Sequence, residues 1–311
     1  MNSRTLVIHP GALGDVVLVG HLLGSVEGHK TLAAGLEKSQ LLAGLGRVSD
    51  CLDFATLPMH ELFTPGQPEA PGDLPRRLGR CDRLISFFGN PGSPEADRLS
   101  AVTAAREAHF LPVRPPDDWP EHLLDLWTDR LRLPRVDAKP PAWPVPPAWR
   151  AQAGQWLQSQ GLPEDSAMGV LHPGSGSPRK NWPAERFAKL GEALASTAGL
   201  RVVWVLGPVE MERQPGLAKQ LGGAVLSCPP LALLAGLLSR ARLYVGNDSG
   251  VTHLAAAAGA PTLALFEPSG VRHFAPRGPA VRVLSAQRMD RLSLARVLAA
   301  AEGSAQPGRQ G

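Results

Sequence analysis

Residues 244–269, YVGNDSGVTHLAAAAGAPTLALFEPS, decide the fold. Leu243, Tyr244 and Val245 read as a buried strand, Gly246-Asn247-Asp248 as a sharp turn, and residues 249–258 as a helix of small side chains. Gly259-Ala260-Pro261 then turns the chain into a second apolar strand over residues 262–266. A β-α-β unit with so few spare residues is the building block of a parallel sheet. Its first turn sets Asp248, Ser249, Gly250 and Thr252 between the carboxyl end of a strand and the amino end of a helix. Unpaired backbone N–H groups and the helix dipole favour an anionic ligand there. Gly250 lets a phosphate approach the backbone closely. The competing reading is that Asp248 or Ser249 only caps the helix.

Outward from this unit the same rhythm continues. Strands are expected at residues 168–172, 201–206 and 280–284, and helices at 149–160, 184–198, 210–221, 231–238 and 292–301. The tail, 304–311, reads as disordered. In the first half, strands are expected at residues 5–9, 30–34, 83–88 and 109–113, with an apolar segment at 52–57. Helices are expected from Asp15 to about residue 23, from Leu36, and over 119–133, where Leu123, Leu126, Trp127 and Leu131 share a face. Residues 58–75 read as a Pro- and Gly-rich loop. Pro140, Pro141, Pro144, Pro146 and Pro147, just after Pro134, mark the clearest linker. Leu6-Val-Ile-His-Pro-Gly11 and Gly169-Val-Leu-His-Pro-Gly174 are near copies, each a strand running into a turn. The expected architecture is therefore α/β: two doubly wound Rossmann-like domains, 1–145 and 146–303, facing each other across a cleft, with ligands at the carboxyl ends of their strands.

Composition narrows the function. A chain of 311 residues with 43% apolar content suits two domains of ordinary size. No run of 18 apolar residues suggests a membrane span, and the first apolar run is too short for a signal peptide. The cysteines Cys51, Cys81 and Cys228 are widely spaced, with no C-x-x-C, so neither a disulfide framework nor a zinc site is indicated. These features point to a reduced cytoplasmic protein. The net charge of +4 fits ordinary solvation, an acidic substrate or an anionic membrane face. Without basic-aromatic interleaving, no nucleic-acid partner is expected.

Two further turns carry candidate chemistry. Gly174-Ser175-Gly176-Ser177-Pro178-Arg179-Lys180 is not a P-loop, yet its small residues, hydroxyls and cations suit a diphosphate. Gly207-Pro208-Val209-Glu210 ends a strand, and a carboxylate there can accept both hydroxyls of a ribose; Glu212 is the fallback. His253 follows Ser249 by one helical turn, but the surroundings are not the G-x-S-x-G elbow of a hydrolase. No D-x-D triplet offers clustered oxygen ligands to a metal.

Three stretches taken together, VIHPGALGDVV (residues 7–17), VLHPGSGSPRKNWP (170–183) and DSGVTHLAA (248–256), resemble the ADP-heptose:lipopolysaccharide heptosyltransferases, glycosyltransferase family 9. The resemblance implies the GT-B architecture and a metal-independent, inverting transfer of heptose from ADP-heptose to a lipopolysaccharide core acceptor, with no cofactor. It implies donor binding by Ser175, Gly176, Arg179, Lys180, Glu210, Asp248, Ser249, Gly250 and His253, the last near the pyrophosphate. It makes Asp15 the catalytic base, against the alternative of a helix cap. His9-Pro10-Gly11 departs from the pattern, where many members carry a cation followed by serines. His9, Gly11 and Ala12, with the basic run Arg76, Arg77 and Arg80 beside Arg83, are the candidate acceptor contacts. The expected partners are the nucleotide sugar, a lipid-linked or oligosaccharide acceptor, and the inner face of the plasma membrane. A transferase with another nucleotide sugar or surface-glycan acceptor, and a catalytically silent nucleotide-sugar-binding protein, stay open.

Overall fold

The computed structural model describes residues 3–63, 72–163, 165–213 and 216–305. The chain divides into two compact units, Met1–Val136 and Asp137–Gly311. The proline-rich segment that follows Val136 counts with the second unit. There the Trp143 N–H donates to the Ala257 carbonyl at 2.7 Å.

The first unit runs β1 (Arg4–Ile8), α1 (Leu13–Leu22), β2 (His29–Ala34), α2 (Leu36–Gly44), β3 (Asp50–Asp53), α3 (Asp73–Leu78), β4 (Arg83–Ser86), α4 (Pro94–Thr103), β5 (Glu107–Phe110) and α5 (Leu123–Leu131). Its strands form one sheet in the order β3-β2-β1-β4-β5, with every neighbouring pair parallel. One core layer joins Leu6, Ile8 and Leu84 of the sheet to Leu74, Leu78 and Leu99 of α3 and α4.

The second unit runs α6 (Pro147–Ser159), β6 (Met168–His172), α7 (Ala184–Thr197), β7 (Arg201–Leu206), α8 (Pro208–Arg213), α9 (Leu217–Gln220), β8 (Ala224–Ser227), α10 (Leu231–Leu238), β9 (Leu243–Asn247), α11 (Gly250–Ala257), β10 (Thr262–Phe266), α12 (Pro268–Phe274), β11 (Val281–Ser285) and α13 (Leu294–Ala305). The sheet order is β11-β10-β9-β6-β7-β8, again with parallel neighbours. All residues of β6, β9 and β10 are buried, as strands covered by helices on both faces require. Progress along the chain reverses direction between β7 and β9, on either side of β6, so the loops after β6 and β9 flank the switch point where such sheets bind ligands.

Several local expectations need correction. The helix expected over 210–221 is two short ones, α8 and α9. The loop expected over 58–75 holds a 3₁₀ turn, Met59–Phe63, and the start of α3; residues 64–71 lie outside the described residues. α4 is an addition to the expected elements: Ser93 caps it by accepting from the Ala96 N–H, with Pro94 at the first position. α12 and β8 are further additions to the expected elements. α13 continues to Ala305, so the expected disordered tail begins inside a helix, and residues 306–311 lie outside the described residues.

Candidate active site

In the second unit the loops after β6, β7 and β9 meet at the carboxyl edge of the sheet. Asn247, the last residue of β9, is fully buried. Its Oδ1 accepts from the Trp182 N–H at 3.0 Å and its Nδ2 donates to the Pro173 carbonyl at 2.7 Å. Both ends of the loop over residues 174–181 are thereby tied to β9. Within that loop, Ser175 Oγ lies 2.6 Å from Asn181 Oδ1 and accepts from the Ser177 N–H at 3.2 Å. The Ser175 hydroxyl therefore shapes the loop as well as lining it.

This tie brings Lys180 to Asp248. Lys180 Nζ donates to Asp248 Oδ2 at 2.5 Å, with the carboxylate mostly buried and the lysine half-buried. Arg179 and Gly176 are exposed on the same loop. Asp248 is not the helix cap. Ser249 is: its Oγ accepts from the Thr252 N–H at 3.3 Å. Thr252 Oγ1 in turn donates to the Asn247 carbonyl at 2.5 Å and sits 3.0 Å from Tyr244 Oη. Gly246 is required in this cluster, since a Cβ there would lie 2.9 Å from Thr252 Oγ1 and 2.7 Å from Tyr244 Cζ. The cap leaves the Gly250 and Val251 N–H groups at the open end of α11.

Glu210 is buried in α8 while Glu212 is exposed. Glu210 Oε2 accepts from the Gly207 N–H at 2.7 Å, and its carboxylate packs on the bare Cα of Gly174. A Cβ there would collide with Glu210 Oε1. The loops after β6 and β7 are thus in contact through this one carboxylate. Beside them, burial lowers the pKa of His172, whose Nδ1 lies 2.8 Å from the Val205 carbonyl oxygen; that bond and the Glu210 charge act in the opposite direction.

His253 is buried on α11, with its ring centroid 6.4 Å from that of Phe266. Burial lowers its pKa to about 4, with Asp248 opposing and Lys180 assisting. At neutral pH it is an uncharged imidazole. Its Nδ1 is buried with no hydrogen-bond partner among the described residues. What it can offer an anion is a neutral N–H, not a positive charge.

In the first unit, Gly11 gathers three side chains. Its N–H donates to His9 Nδ1 at 3.0 Å, its carbonyl accepts from Lys38 Nζ at 2.5 Å, and a Cβ on it would lie 3.1 Å from Asp15 Oδ2. Asp15 is the third residue of α1, and its Oδ2 accepts from the Ala12 N–H at 3.3 Å. The carboxylate therefore takes part in closing the helix start without being the N-cap residue, which is Ala12. His9 is fully buried and its pKa is lowered to about 4 by burial, with the Lys38 charge assisting and a hydrogen bond to its own backbone opposing. The cation missing from position 9 is thus supplied to the same turn by Lys38, from the first turn of α2, where the helix dipole disfavours a positive charge. Lys38 carries no sequence signal that marks it; only the fold shows its destination.

The expected arginine cluster disperses. Arg77 is engaged with Thr56 at 2.6 and 2.8 Å, and Arg83 pairs with Glu107 at 3.0 Å. Arg76 and Arg80 are exposed. Arg80 and Arg83 lie at the amino end of β4, whereas His9, Gly11, Ala12 and Asp15 lie at or beyond the carboxyl end of β1. Among the described residues no three His, Cys, Asp or Glu side chains gather as a metal site.

Residues 140–297 match the profile of glycosyltransferase family 9 (heptosyltransferase). Lipopolysaccharide heptosyltransferase 1 of Pseudomonas aeruginosa is 39% identical over 92 residues, which covers 29% of this chain and 26% of that protein. The chain therefore matches about a quarter of the length of that curated relative. A glycosyl transferase family 9 structure from Veillonella parvula superposes with a TM-score of 0.77 at 21% identity, covering 97% of each chain. The E. coli ADP-heptose lipopolysaccharide heptosyltransferase II superposes with a TM-score of 0.74 at 19% identity, covering 97% of this chain and 98% of that one. At these identities the two structures share the fold.

Proposed function

Because the chain belongs to glycosyltransferase family 9, the heptosyltransferases, we propose that it transfers heptose from ADP-heptose to a lipopolysaccharide core acceptor, inverting the anomeric carbon. The donor and acceptor classes follow the names of the Pseudomonas and E. coli proteins. The observation that carries the reading is the Lys180–Asp248 pair at the β6–β9 switch point, beside the open amino end of α11. An ammonium poised there can exchange its carboxylate partner for a diphosphate oxygen.

In this reading Glu210 accepts the ribose hydroxyls, while Lys180, Arg179 and the Gly250 and Val251 N–H groups meet the diphosphate. Ser175 and Gly176 give it room, and His253 adds a neutral N–H. Asp15 takes the proton of the acceptor hydroxyl as that oxygen bonds to the anomeric carbon. The bond from that carbon to the diphosphate oxygen breaks on the opposite face, and ADP leaves with the electron pair. The charge developing on ADP is met by fixed donors, where electrostatic stabilisation acts most strongly. No step calls for a metal ion. Acceptor contacts are assigned to the turn bearing His9, Gly11 and Ala12; Arg76 and Arg77 are retained as outer contacts, while Arg80, at the far end of β4, drops out. In this reading the enzyme works in the cytoplasm, at the inner membrane face. Among the described residues no helix is long and apolar enough to cross a membrane.

The test is mass spectrometry of a lipopolysaccharide core acceptor incubated with the protein and ADP-heptose, with UDP and GDP sugars as alternative donors and with EDTA present. A mass gain of one heptose from the ADP donor alone is expected. Transfer from a different nucleotide sugar, or none from any, refutes the reading.

A further inference from the structure

The second unit contains a pocket of about 390 Å³, within the ~300–1,000 Å³ typical of small-ligand sites. It lies away from the loops after β6, β7 and β9. Arg201 opens β7 and pairs in register with Met168, which opens β6. Both line the pocket, so it sits at the amino edge of the sheet. The six residues of β7 set it about 17 Å from the edge that carries the Gly207 turn.

Three arginines line this pocket from separate elements: Arg150 near the start of α6, Arg201 on β7, and Arg240 between α10 and β9. Packing fixes where their backbones lie. A Cβ on Gly236 of α10 would collide with the Trp149 carbonyl oxygen, so the start of α6 rests directly on α10. The Arg240 N–H donates to the Leu237 carbonyl at 3.1 Å, and the Arg242 N–H donates to the Met168 carbonyl at 2.9 Å. These bonds hold the α10–β9 turn against β6.

The charge on the walls is out of balance. Among the described residues the lining holds three guanidiniums and one carboxylate, that of Asp165. Arg150 and Arg201 are exposed, and neither guanidinium is in a hydrogen bond or ion pair among the described residues. A concave surface lined mainly by one sign of charge concentrates ions of the other. The floor is of another kind: Leu157 and Met168 are buried apolar side chains. A bare inorganic anion uses the rim and leaves the floor idle. A phosphate ester uses both. Its oxygens meet the guanidinium forks, which bind them two at a time, and its carbon part covers the floor.

We propose that this pocket binds a small phosphomonoester, held by Arg150 and Arg201 at the sheet edge opposite the Lys180–Asp248 pair. The proposal does not depend on the transferase reading. The phosphomonoester can be a free solute or the headgroup of a lipid, and the test separates the two.

The test uses the full-length protein in phosphate-free buffer. Calorimetric titrations with sn-glycerol 3-phosphate, glycerol, inorganic phosphate and ADP are run on wild type, Arg150→Gln and Arg201→Gln. Sedimentation with phosphatidylcholine vesicles, with and without phosphatidic acid, is run in parallel. Both side chains are exposed and unpaired, so Tm without phosphate should match wild type. Glycerol 3-phosphate is expected to bind wild type more tightly than inorganic phosphate does, and glycerol not at all. Each substitution should weaken that binding about tenfold or more, the loss of a charge-assisted contact, with ADP affinity unchanged. Sedimentation that needs both phosphatidic acid and the two arginines supports the site with a lipid as its source; glycerol 3-phosphate binding without sedimentation supports it with a free solute. Absence of binding by every phosphate probe, or binding that both substitutions leave untouched, overturns the site. Glycerol 3-phosphate that ADP displaces belongs to the loops after β6 and β9 and overturns it too. Inorganic phosphate bound as tightly as the ester overturns the assignment to a phosphomonoester.

Discussion

Gly174→Ala isolates the role of Glu210. Gly174 is buried and is not among the glycines with positive φ, so alanine needs no unusual backbone there. The obstacle is Glu210. A new Cβ would collide with Oε1 and Cδ, and Oε2 would be only 2.6 Å away. The carboxylate must swing out and release the Gly207 N–H, now held at 2.7 Å. A hydrogen bond to a charged acceptor contributes about 1.5–3 kcal/mol, so unfolding free energy should fall by that amount. If the same carboxylate holds the ribose, ADP affinity falls about 10- to 150-fold. The assay is urea denaturation and calorimetric ADP titration on wild type, Gly174→Ala, Glu210→Ala and the double variant. With Glu210 truncated, the methyl group has nothing to strike, so adding Gly174→Ala should be nearly neutral. The coupling energy then equals almost the whole single-variant cost. Strictly additive costs, or wild-type ADP affinity in Gly174→Ala, refute the argument.

Asp15→Asn keeps an acceptor oxygen for the Ala12 N–H but cannot take a proton; kcat should drop about 10²–10⁴-fold with donor KM unchanged, and full turnover in a folded variant removes Asp15 as the base. Lys180→Ala should weaken ADP binding while leaving AMP binding nearly intact, and equal losses for both nucleotides place Lys180 away from the terminal phosphate. His9 and His253 both titrate near pH 4 in the fold instead of 6.5. The unfolded chain therefore binds the extra protons first, and stability that is complete above pH 6.5 is lost as the pH falls towards 4. Integration gives about 2 kcal/mol per histidine at pH 5; His253→Gln should flatten the pH dependence of the urea midpoint, and an unchanged slope shows that His253 is not responsible.

The sequence made the second sheet legible because its central strands are covered on both faces. β6, β7 and β10 and helix α10 have the bounds expected from their apolar runs. α12 is not legible in the sequence because seven residues after Glu267 give too little periodicity to mark a helix. At the site, motif spacing identified the turns, but not which side chains connect them. Asn247 passes for an ordinary turn residue until the fold brings Trp182 and Pro173 to its amide. That Glu210 is buried and Glu212 exposed is not visible in two carboxylates of one helix turn. The arginines near residue 80 form a cluster along the chain, yet a parallel strand begins among them, and its start faces away from the ligand edge.

The Asn247 amide acts as a staple without a covalent bond. By holding Pro173 and Trp182 it closes the loop of residues 174–181 at both ends, so the entropy of ordering that loop is spent when the chain folds and not when a nucleotide arrives. If the proposed donor site is right, a loop finished in advance lets the nucleotide dock in a single kinetic phase, with no slow closing step behind it. It also ties the loop to the melting of β9: any opening of that strand frees both of its ends at once, and under the proposed reading the capacity to bind a donor disappears together with the sheet.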